Sequence, residues 1–447
     1  MSQFDLLRTK RFWPLFYTQL FGALNDNIYK NALVIFIAFT LAAKVSVNSS
    51  ILVIIAGGIF ILPFFLFSAF AGQVADRFEK SCLIRRIKIA EILIMCLATV
   101  GFLGQSLIVL MTVLFLMGAQ STFFGPLKYG ILPQHLQPEE LTGGNGLVQM
   151  GTYLAILGGT MIGGILVAAE QRGPVYVSVT VISVAVLGWY VSRNIPLAIA
   201  SDETLVIDWN IFRQTYRIVS YSMSDKAIFM IIIAISWFWY IGATFLSLVP
   251  GYTRDVLSGN EHVATLLLTA FSIGIGTGSL LCEKLSRGRI EPGLVPIGAI
   301  GLSLFSLDLF FIGIPELGAL YPDGVNASLF LADTSCWRIL VDLVLVGLFG
   351  GIYIVPLFAL LQHRADPHHC ARVIAATNIL NALFMVGSAV ITTLLIQQSV
   401  PIPTIFLIMA VTNLVITGLI FIRFREFPNA FTRLITSWIQ RETPQGG

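Results

Sequence analysis

The stretch "LNDNIYKNAL", from Leu24 to Leu33, places Asp26 and Lys30 four residues apart in an otherwise oily run. In a helix that spacing puts both on one face. There a carboxylate and an ammonium can pair, hold a proton, or grip two charges of a ligand. Asn27 and Asn31 form a neighbouring stripe, and Asn25 precedes them. An Asp or Lys at the centre of a membrane helix costs roughly 2.5–3.5 kcal/mol on insertion scales, so such a residue is read first as functional. Lys128, in "FFGPLKYG", is another charge at depth: its Gly-Pro-Leu-Lys sequence reads either as a turn that aims it inward or as an inner-surface position from which it snorkels to lipid phosphate. Glu91 stands three residues from Lys88, which suggests a local pair. Asp308 and Asp342 fall toward span ends, near interface water. Asn378 and Asn381 suit cavity lining or interhelical hydrogen bonds. The run Trp237, Phe238, Trp239, Tyr240 could line an acyl-chain groove, but in a chain that is 12% aromatic it reads first as lipid-facing packing.

The elements that position these residues follow from composition. The chain has 447 residues, 56% hydrophobic and 11% charged, with mean hydropathy +0.85. A soluble domain is about a quarter charged, so this is an integral membrane protein. Its apolar runs are helix-length, unlike the alternating segments of a membrane barrel. The first run is too long and too polar for a signal-peptide core and is expected to stay in the mature chain. Twelve spans are expected, at about 12–41, 50–75, 83–103, 106–128, 144–169, 174–193, 227–251, 262–283, 292–314, 335–361, 371–397 and 402–424. The fold class is therefore an all-α membrane protein. Its expected parts are a six-helix half over 1–193, a linker over 194–226, a second half over 227–424 and a tail over 425–447. The linker stretch "DWNIFRQTYRIVSYSMSDK" and the tail "FREFPNAFTRLITSWIQRETPQGG" each read as a helix lying along the membrane surface.

Lysine and arginine set the direction. With both termini in the cytoplasm, the inner segments hold 21 of the 27 basic residues, Lys88 among them. Lys44, Arg172, Arg254 and Arg338 fall outside, and Lys30 and Lys128 remain at depth.

Several function classes are excluded. The five cysteines are scattered, with no CxxC or Cys/His spacing, so no disulfide framework and no metal site is expected. No Walker A sequence, no Ser-His-Asp arrangement and no His five residues before an Asp appears, so an enzyme is not expected and no cofactor is implied. Nucleic acid is not an expected partner.

The loop after the second span reads "GQVADRFEKSCLIRR". Gly72, Asp76, Arg77 and Lys80 fit G-x-x-x-D-R-x-x-K/R, and the chain thereby resembles the major facilitator superfamily. Gly72 lets two helices approach, and Asp76 can pair with a cation or cap a helix N-terminus. Such a cluster can act as a conformational latch. "GSLLCEKLSRGR", with Gly278, Glu283, Lys284 and Arg289, is its worn echo after span eight, as repeated halves predict.

Three segments narrow the resemblance: "LNDNIYKNAL"; "FFGPLKYGILPQHL" with "GNGLVQMGTYLAILGGTMIGGIL"; and "GGIYIVPLFALLQHRA" with "VIAATNILNALFMVGS". Together they resemble the bacterial lysophospholipid transporter branch, in particular its version fused to an acyltransferase and an acyl-carrier-protein ligase. The resemblance implies a flippase of the bacterial inner membrane. It would carry lysophospholipids from the outer to the inner leaflet by alternating access for re-acylation by an acyltransferase partner, here expected to be a separate protein or lost. It also implies a headgroup site. Lys30 or Lys128 would take the phosphate and Asp26 an amine, with Asn27 and Asn31 on the glycerol or phosphodiester. Asn378 and Asn381 would line the cavity.

Two rival readings carry their own signals. Gly146, Ala155, Gly159, Thr160, Gly163 and Gly164 approach the antiporter motif of drug exporters, with the diagnostic proline absent. They read as packing. The runner-up is a proton-coupled exporter of a drug or siderophore, with Asp26 the proton carrier. A membrane scaffold for an acyltransferase is third, and it would not need Asp26 and Lys30 at depth.

Overall fold

The computed structural model describes residues 3–37, 49–169, 172–312 and 324–442. Its regular elements are helical: α1 (Gln3–Leu6), α2 (Trp13–Phe36), α3 (Ser49–Arg77), α4 (Lys80–Leu103), α5 (Leu107–His135), α6 (Leu141–Val167), α7 (Gly173–Ser192), α8 (Ile211–Ser224), α9 (Lys226–Asp255), α10 (Glu261–Ser286), α11 (Leu294–Phe311), α12 (Ala327–Ala332), α13 (Thr334–Arg364), α14 (Cys370–Gln397), α15 (Ile402–Arg423) and α16 (Glu426–Glu442). Among the described residues, ten helices are long and apolar enough to cross a membrane. Helices α2 and α4 are not among them. They are the helices that carry Asp26 and Lys30, and Lys88 and Glu91, whose polarity dilutes the apolar run. Lys44, placed outside by the charge pattern, lies outside the described residues.

The helices are apolar around most of their circumference, which is what lipid on one side and a packed interior on the other require. Irregular pieces are satisfied locally. Glu79 caps α4, accepting from the backbone amides of Ser81 at 2.8 Å and Cys82 at 2.6 Å. Asn210 caps α8 through the Arg213 amide at 2.9 Å. The helices read from the linker and the tail both form, as α8 and α16.

The chain divides into two compact units. The first comprises Met1–Gln137, Gly151–Lys226 and Gln362–Ala382. Its core centres on Tyr29, Phe36 and Phe102, whose rings meet edge to face, and the Tyr29 hydroxyl donates to the Leu110 carbonyl at 2.8 Å. Helix α6 lies close on α2: a Cβ at Gly159 would stand 2.6 Å from the Leu24 carbonyl, and one at Gly163 would press on the Ile28 carbonyl. The glycines that approach the antiporter motif thus serve contact between helices. Helix α8 seats Ile218 against Ala69, Ala376 and Ile379.

The second unit comprises Pro138–Met150, Ala227–Leu361 and Leu383–Gly447. Here the aromatic run of α9 departs from the lipid-facing expectation. Trp237 and Phe238 are buried. The Trp237 indole donates to Asn413 Oδ1 at 2.8 Å, and Asn413 donates onward to Ser303 and the Ala299 carbonyl. A buried indole N–H needs an acceptor, and Asn413 of α15 supplies it. Phe245 stacks on Phe271 and Phe406 beside it.

Candidate substrate site

Helix α2 divides its polar residues between two environments. Asn25 is fully buried, whereas Asp26, Asn27, Lys30 and Asn31 are half-buried. Asn25 turns toward α4 and donates to Glu91 Oε1 at 3.1 Å. Glu91 Oε2 accepts from Lys88 Nζ at 2.6 Å and from Gln120 Nε2 at 3.1 Å. Lys88 and Glu91 therefore form the local pair their spacing suggested, with side chains 0% and 3% exposed. Lys88 also lies 5.2 Å from the centre of the Phe124 ring. Its ammonium occupies space that a side chain at residue 22 would fill, since a Cβ on Gly22 would stand 2.6 Å from Nζ. The count of Lys88 among inner-loop charges is thus corrected. A charge three residues from a carboxylate can be buried with it, and loop and helix positions look alike at a span boundary.

Asp26 takes the hydroxyl of Ser121, on α5, at 2.8 Å. Lys30 lies over the Phe60 ring at 4.5 Å. Asp26 and Lys30 share a face as expected but do not form an ion pair within 4.0 Å. Lys128 is half-buried, with its ammonium 4.5 Å above the Tyr129 ring and within electrostatic reach of Asp26. The turn expected around it is absent. Pro126 and Pro133 both sit inside the continuous helix α5. A proline frees the carbonyl four residues before it; for Pro133 that is the Tyr129 carbonyl, which accepts from Gln362 Nε2 at 3.2 Å.

The asparagines are partly committed. Asn27 donates to the Ala23 carbonyl at 2.7 Å, and Asn31 donates across to the Thr160 carbonyl of α6 at 2.6 Å. Asn378, half-buried, faces α5, where a Cβ on Gly125 would meet its Nδ2 at 2.8 Å. That Nδ2 has no hydrogen-bond partner among the described residues. Asn381 is buried one turn along. The first unit therefore gathers Asp26, Lys30, Lys128 and Asn378. Ser121 and Gln120, absent from the sequence-derived set, join them. Their only signal was polarity inside an apolar run.

The loop motif forms a second constellation. Asp76 is fully buried at the end of α3. Its Oδ1 accepts from the Ala371 amide at 3.2 Å, and its Oδ2 from the Arg372 amide at 3.3 Å and Arg372 Nε at 2.8 Å. It both caps α14 and pairs with a cation. A Cβ on Gly72 would stand 2.8 Å from the Ala375 side chain. Lys80 is buried and donates to Ser201 Oγ at 2.8 Å and the Ile199 carbonyl at 3.2 Å, which stitches the linker to the same place. Arg372 also reaches Asp202 at 3.6 Å, and His368 Nδ1 meets the Ser201 carbonyl. Arg77 lies over the Phe78 ring. In the second unit Gly278 backs against Leu348, and Lys284 is exposed. The Glu283 carbonyl accepts from the Arg287 and Gly288 amides.

The Major Facilitator Superfamily family model matches residues 15–389. The chain belongs to the Major Facilitator Superfamily. Within it, this facilitator is 26% identical over 311 residues to the "Lysophospholipid transporter LplT" of Photorhabdus laumondii, covering 68% of this chain and 69% of that protein. It is 27% identical over 309 residues to the protein of the same name from Serratia proteamaculans, with 68% and 69% covered. The branch suggested by the motifs is the branch to which these relatives belong. Among solved structures, the human organic anion transporter MFSD10 (TETRAN) shares the fold, with TM-score 0.69, 11% identity and 92% and 99% of the two chains covered. The facilitator is thus a multi-pass membrane transporter.

Proposed function

We propose that this facilitator is a lysophospholipid flippase of the bacterial inner membrane, with twelve spans and both termini in the cytoplasm. It takes a single-chain phospholipid from the outer leaflet and releases it to the inner leaflet by alternating access. Re-acylation by an acyltransferase partner follows.

The observation that carries the reading is the state of the charges on α2. Asp26 and Lys30 lie half-buried on one helix face without an ion pair between them. A phosphoethanolamine headgroup offers each a partner: the phosphate for Lys30 or Lys128, the amine for Asp26. The relatives' name supplies the substrate class. Beneath the face, the Asn25–Glu91–Lys88–Gln120 network holds α2, α4 and α5 in register. Asn31 ties the same face to α6, Asn27 flanks it, and Asn378 and Asn381 complete its polar surroundings. Gly72, Asp76, Arg77 and Lys80 form the latch, with Glu283 and Lys284 as its counterpart in the second half.

Uptake of labelled lysophosphatidylethanolamine by cells lacking their own transporter tests this. Uptake should require the intact protein and fall with Asp26→Asn and with Lys30→Ala. No uptake by well-expressed, folded protein would sink the lipid reading. Uptake indifferent to both changes would move the site elsewhere.

A further inference from the structure

The segment between α7 and α9 carries a surface that the headgroup site does not use. Trp209, just before α8, and Phe212 and Tyr216 on it are 77%, 81% and 75% exposed. Their spacing of three and four residues sets them in one stripe. Arg213 and Arg217 take the next positions, with side chains 57% and 63% exposed. The opposite stripe is the buried one, and it is mostly polar: Gln214, Ile218 and Ser222. A helix on a water-facing surface is built the other way round, with its apolar stripe inward. Large aromatic side chains grouped outward mark a surface that something covers.

The place of α8 says what covers it. Ile218 packs on Ala69, Ala376 and Ile379, with Phe65 beside them. The Trp209 ring lies 5.1 Å from the Phe70 ring, centre to centre. Gln73 holds the backbone of Asp208, accepting from its amide at 2.9 Å and donating to its carbonyl at 3.3 Å. Phe65, Ala69 and Phe70 all belong to the run Ile55–Arg77, which is long and apolar enough to cross a membrane. At 1.5 Å per residue, Phe70 stands about 10 Å along the axis from the end of α3 at Arg77. Beyond Phe70 the helix turns polar, at Gln73 and Asp76. So α8 is fastened to the flank of a membrane-spanning helix, where hydrocarbon gives way to headgroups, and not beneath its end.

That layer suits both outward stripes. Tryptophan and tyrosine concentrate there, because one part of each ring is apolar and the other is wet. A guanidinium takes a phosphodiester through parallel hydrogen bonds. Asp208 engages both arginines, Arg213 at 2.7 Å and Arg217 at 3.7 Å. Two guanidiniums against one carboxylate leave a positive charge over. From Asp208 to Lys226 the cations Arg213, Arg217 and Lys226 stand against the carboxylates Asp208 and Asp225.

We propose that α8 is a phospholipid-binding strap. Trp209, Phe212 and Tyr216 seat in the headgroup layer of the bilayer, Arg213 and Arg217 hold lipid phosphates there, and Ile218 keeps the helix on α3 and α14. The segment between α7 and α9 is thereby fixed to the membrane as well as to the protein. The leaflet is the inner one on the orientation proposed above, whereas the contact with lipid depends neither on that orientation nor on the transported substrate.

The test is electron paramagnetic resonance of the full-length protein in liposomes of phosphatidylcholine and phosphatidylglycerol. A nitroxide is attached at Phe212→Cys and, for comparison, at Glu203→Cys in the exposed loop before α8, in protein whose Cys82 and Cys96 are serine. Both positions are exposed, so neither change removes a buried side chain. Oxygen partitions into lipid, and a nickel chelate stays in water. The ratio of oxygen to nickel collisions should be several-fold higher at Phe212→Cys than at Glu203→Cys. Equal ratios would overturn the proposal. Protection of Phe212→Cys from both reagents, with spin–spin broadening that vanishes on dilution with unlabelled protein, would overturn it in favour of a second copy of the chain. Arg213→Gln with Arg217→Gln should lower the ratio at Phe212→Cys, and an unchanged ratio would overturn the role of the arginines. A second measurement needs no label: the tryptophan emission quenched by phospholipids with brominated acyl chains should fall in Trp209→Phe, and an unchanged quenched component would count against the strap. None of these readouts requires transport, so absence of lysophosphatidylethanolamine uptake would sink the substrate reading and leave the strap to be decided by the spectra.

Discussion

Asn25 donates to Glu91 at 3.1 Å across a sequence separation of 66 residues. The bond ties the polar face of α2 to a buried acid of α4, which Lys88 and Gln120 also bind. The candidate site therefore has two layers: a network around the buried Asn25, Lys88 and Glu91, and the half-buried Asp26, Lys30 and Lys128, with Ser121 reaching both Gln120 and Asp26.

Breaking the buried network should be severe. Glu91→Gln leaves the Lys88 ammonium buried without its counter-charge, and loss of one partner of a buried pair costs about 3–5 kcal/mol. Thermal unfolding in detergent should show a large drop for Glu91→Gln. Lys88→Met with Glu91→Leu should recover most of it, because no lone charge then remains. Equal stability of Glu91→Gln and the intact protein would contradict the network.

The half-buried charges should discriminate between headgroups. Asp26→Asn removes the partner proposed for an amine. A hydrogen bond to a charged group is worth about 1.5–3 kcal/mol, or roughly 10- to 150-fold in affinity. Lysophosphatidylethanolamine uptake should weaken by that order, while lysophosphatidylglycerol uptake should change far less. Equal loss for both lipids would assign Asp26 a structural role.

The latch can be read through a thiol. Cys370 is buried at the start of α14, next to the residues that bind Asp76. In protein whose Cys82 and Cys96 are replaced by serine, maleimide should label Cys370 slowly. Asp76→Asn should accelerate labelling by on the order of tenfold, the equivalent of about 1.4 kcal/mol. Unchanged labelling would mean that the Asp76–Arg372 pair does not hold this end closed.

The linker offers a prediction in pH. The Arg213 hydrogen bond, with help from the Asn210 amide, holds the Asp208 carboxyl well below its usual 3.8. A depressed carboxyl stabilises the fold above its unfolded value and loses that contribution as pH falls through the folded value. Backbone hydrogen exchange across α8, normalised for the intrinsic pH dependence of exchange, should thus be constant from about pH 5 to 8 and should rise only under stronger acid. Asp208→Asn should accelerate it at neutral pH. A rise in normalised exchange near pH 6 would assign control to another group.

Much of this protein is local and was legible in the residues. Helix length follows from apolar runs, and the helices α8 and α16 follow from their spacing of aromatic and charged residues. The Lys88–Glu91 pair is one turn of one helix. The candidate charges Asp26, Lys30 and Lys128 were visible because charge inside an oily run is conspicuous. Serine, glutamine and asparagine are commonplace, so Ser121, Gln120 and Asn413 carried no comparable signal.

What the tertiary structure decided is which faces meet. Asp26 and Lys30 could have paired by their spacing, yet Ser121 and the Phe60 ring lie close enough to take them separately. Asp76 was suited to any cation, and only packing chose Arg372, 296 residues away. The apolar stretch around Trp237 could have faced lipid, until Asn413 supplied a buried acceptor. Helical periodicity fixes the angle of each side chain about its own axis, and that information is local. Partner choice depends on the rotation and depth of neighbouring helices, which the whole packed unit sets at once.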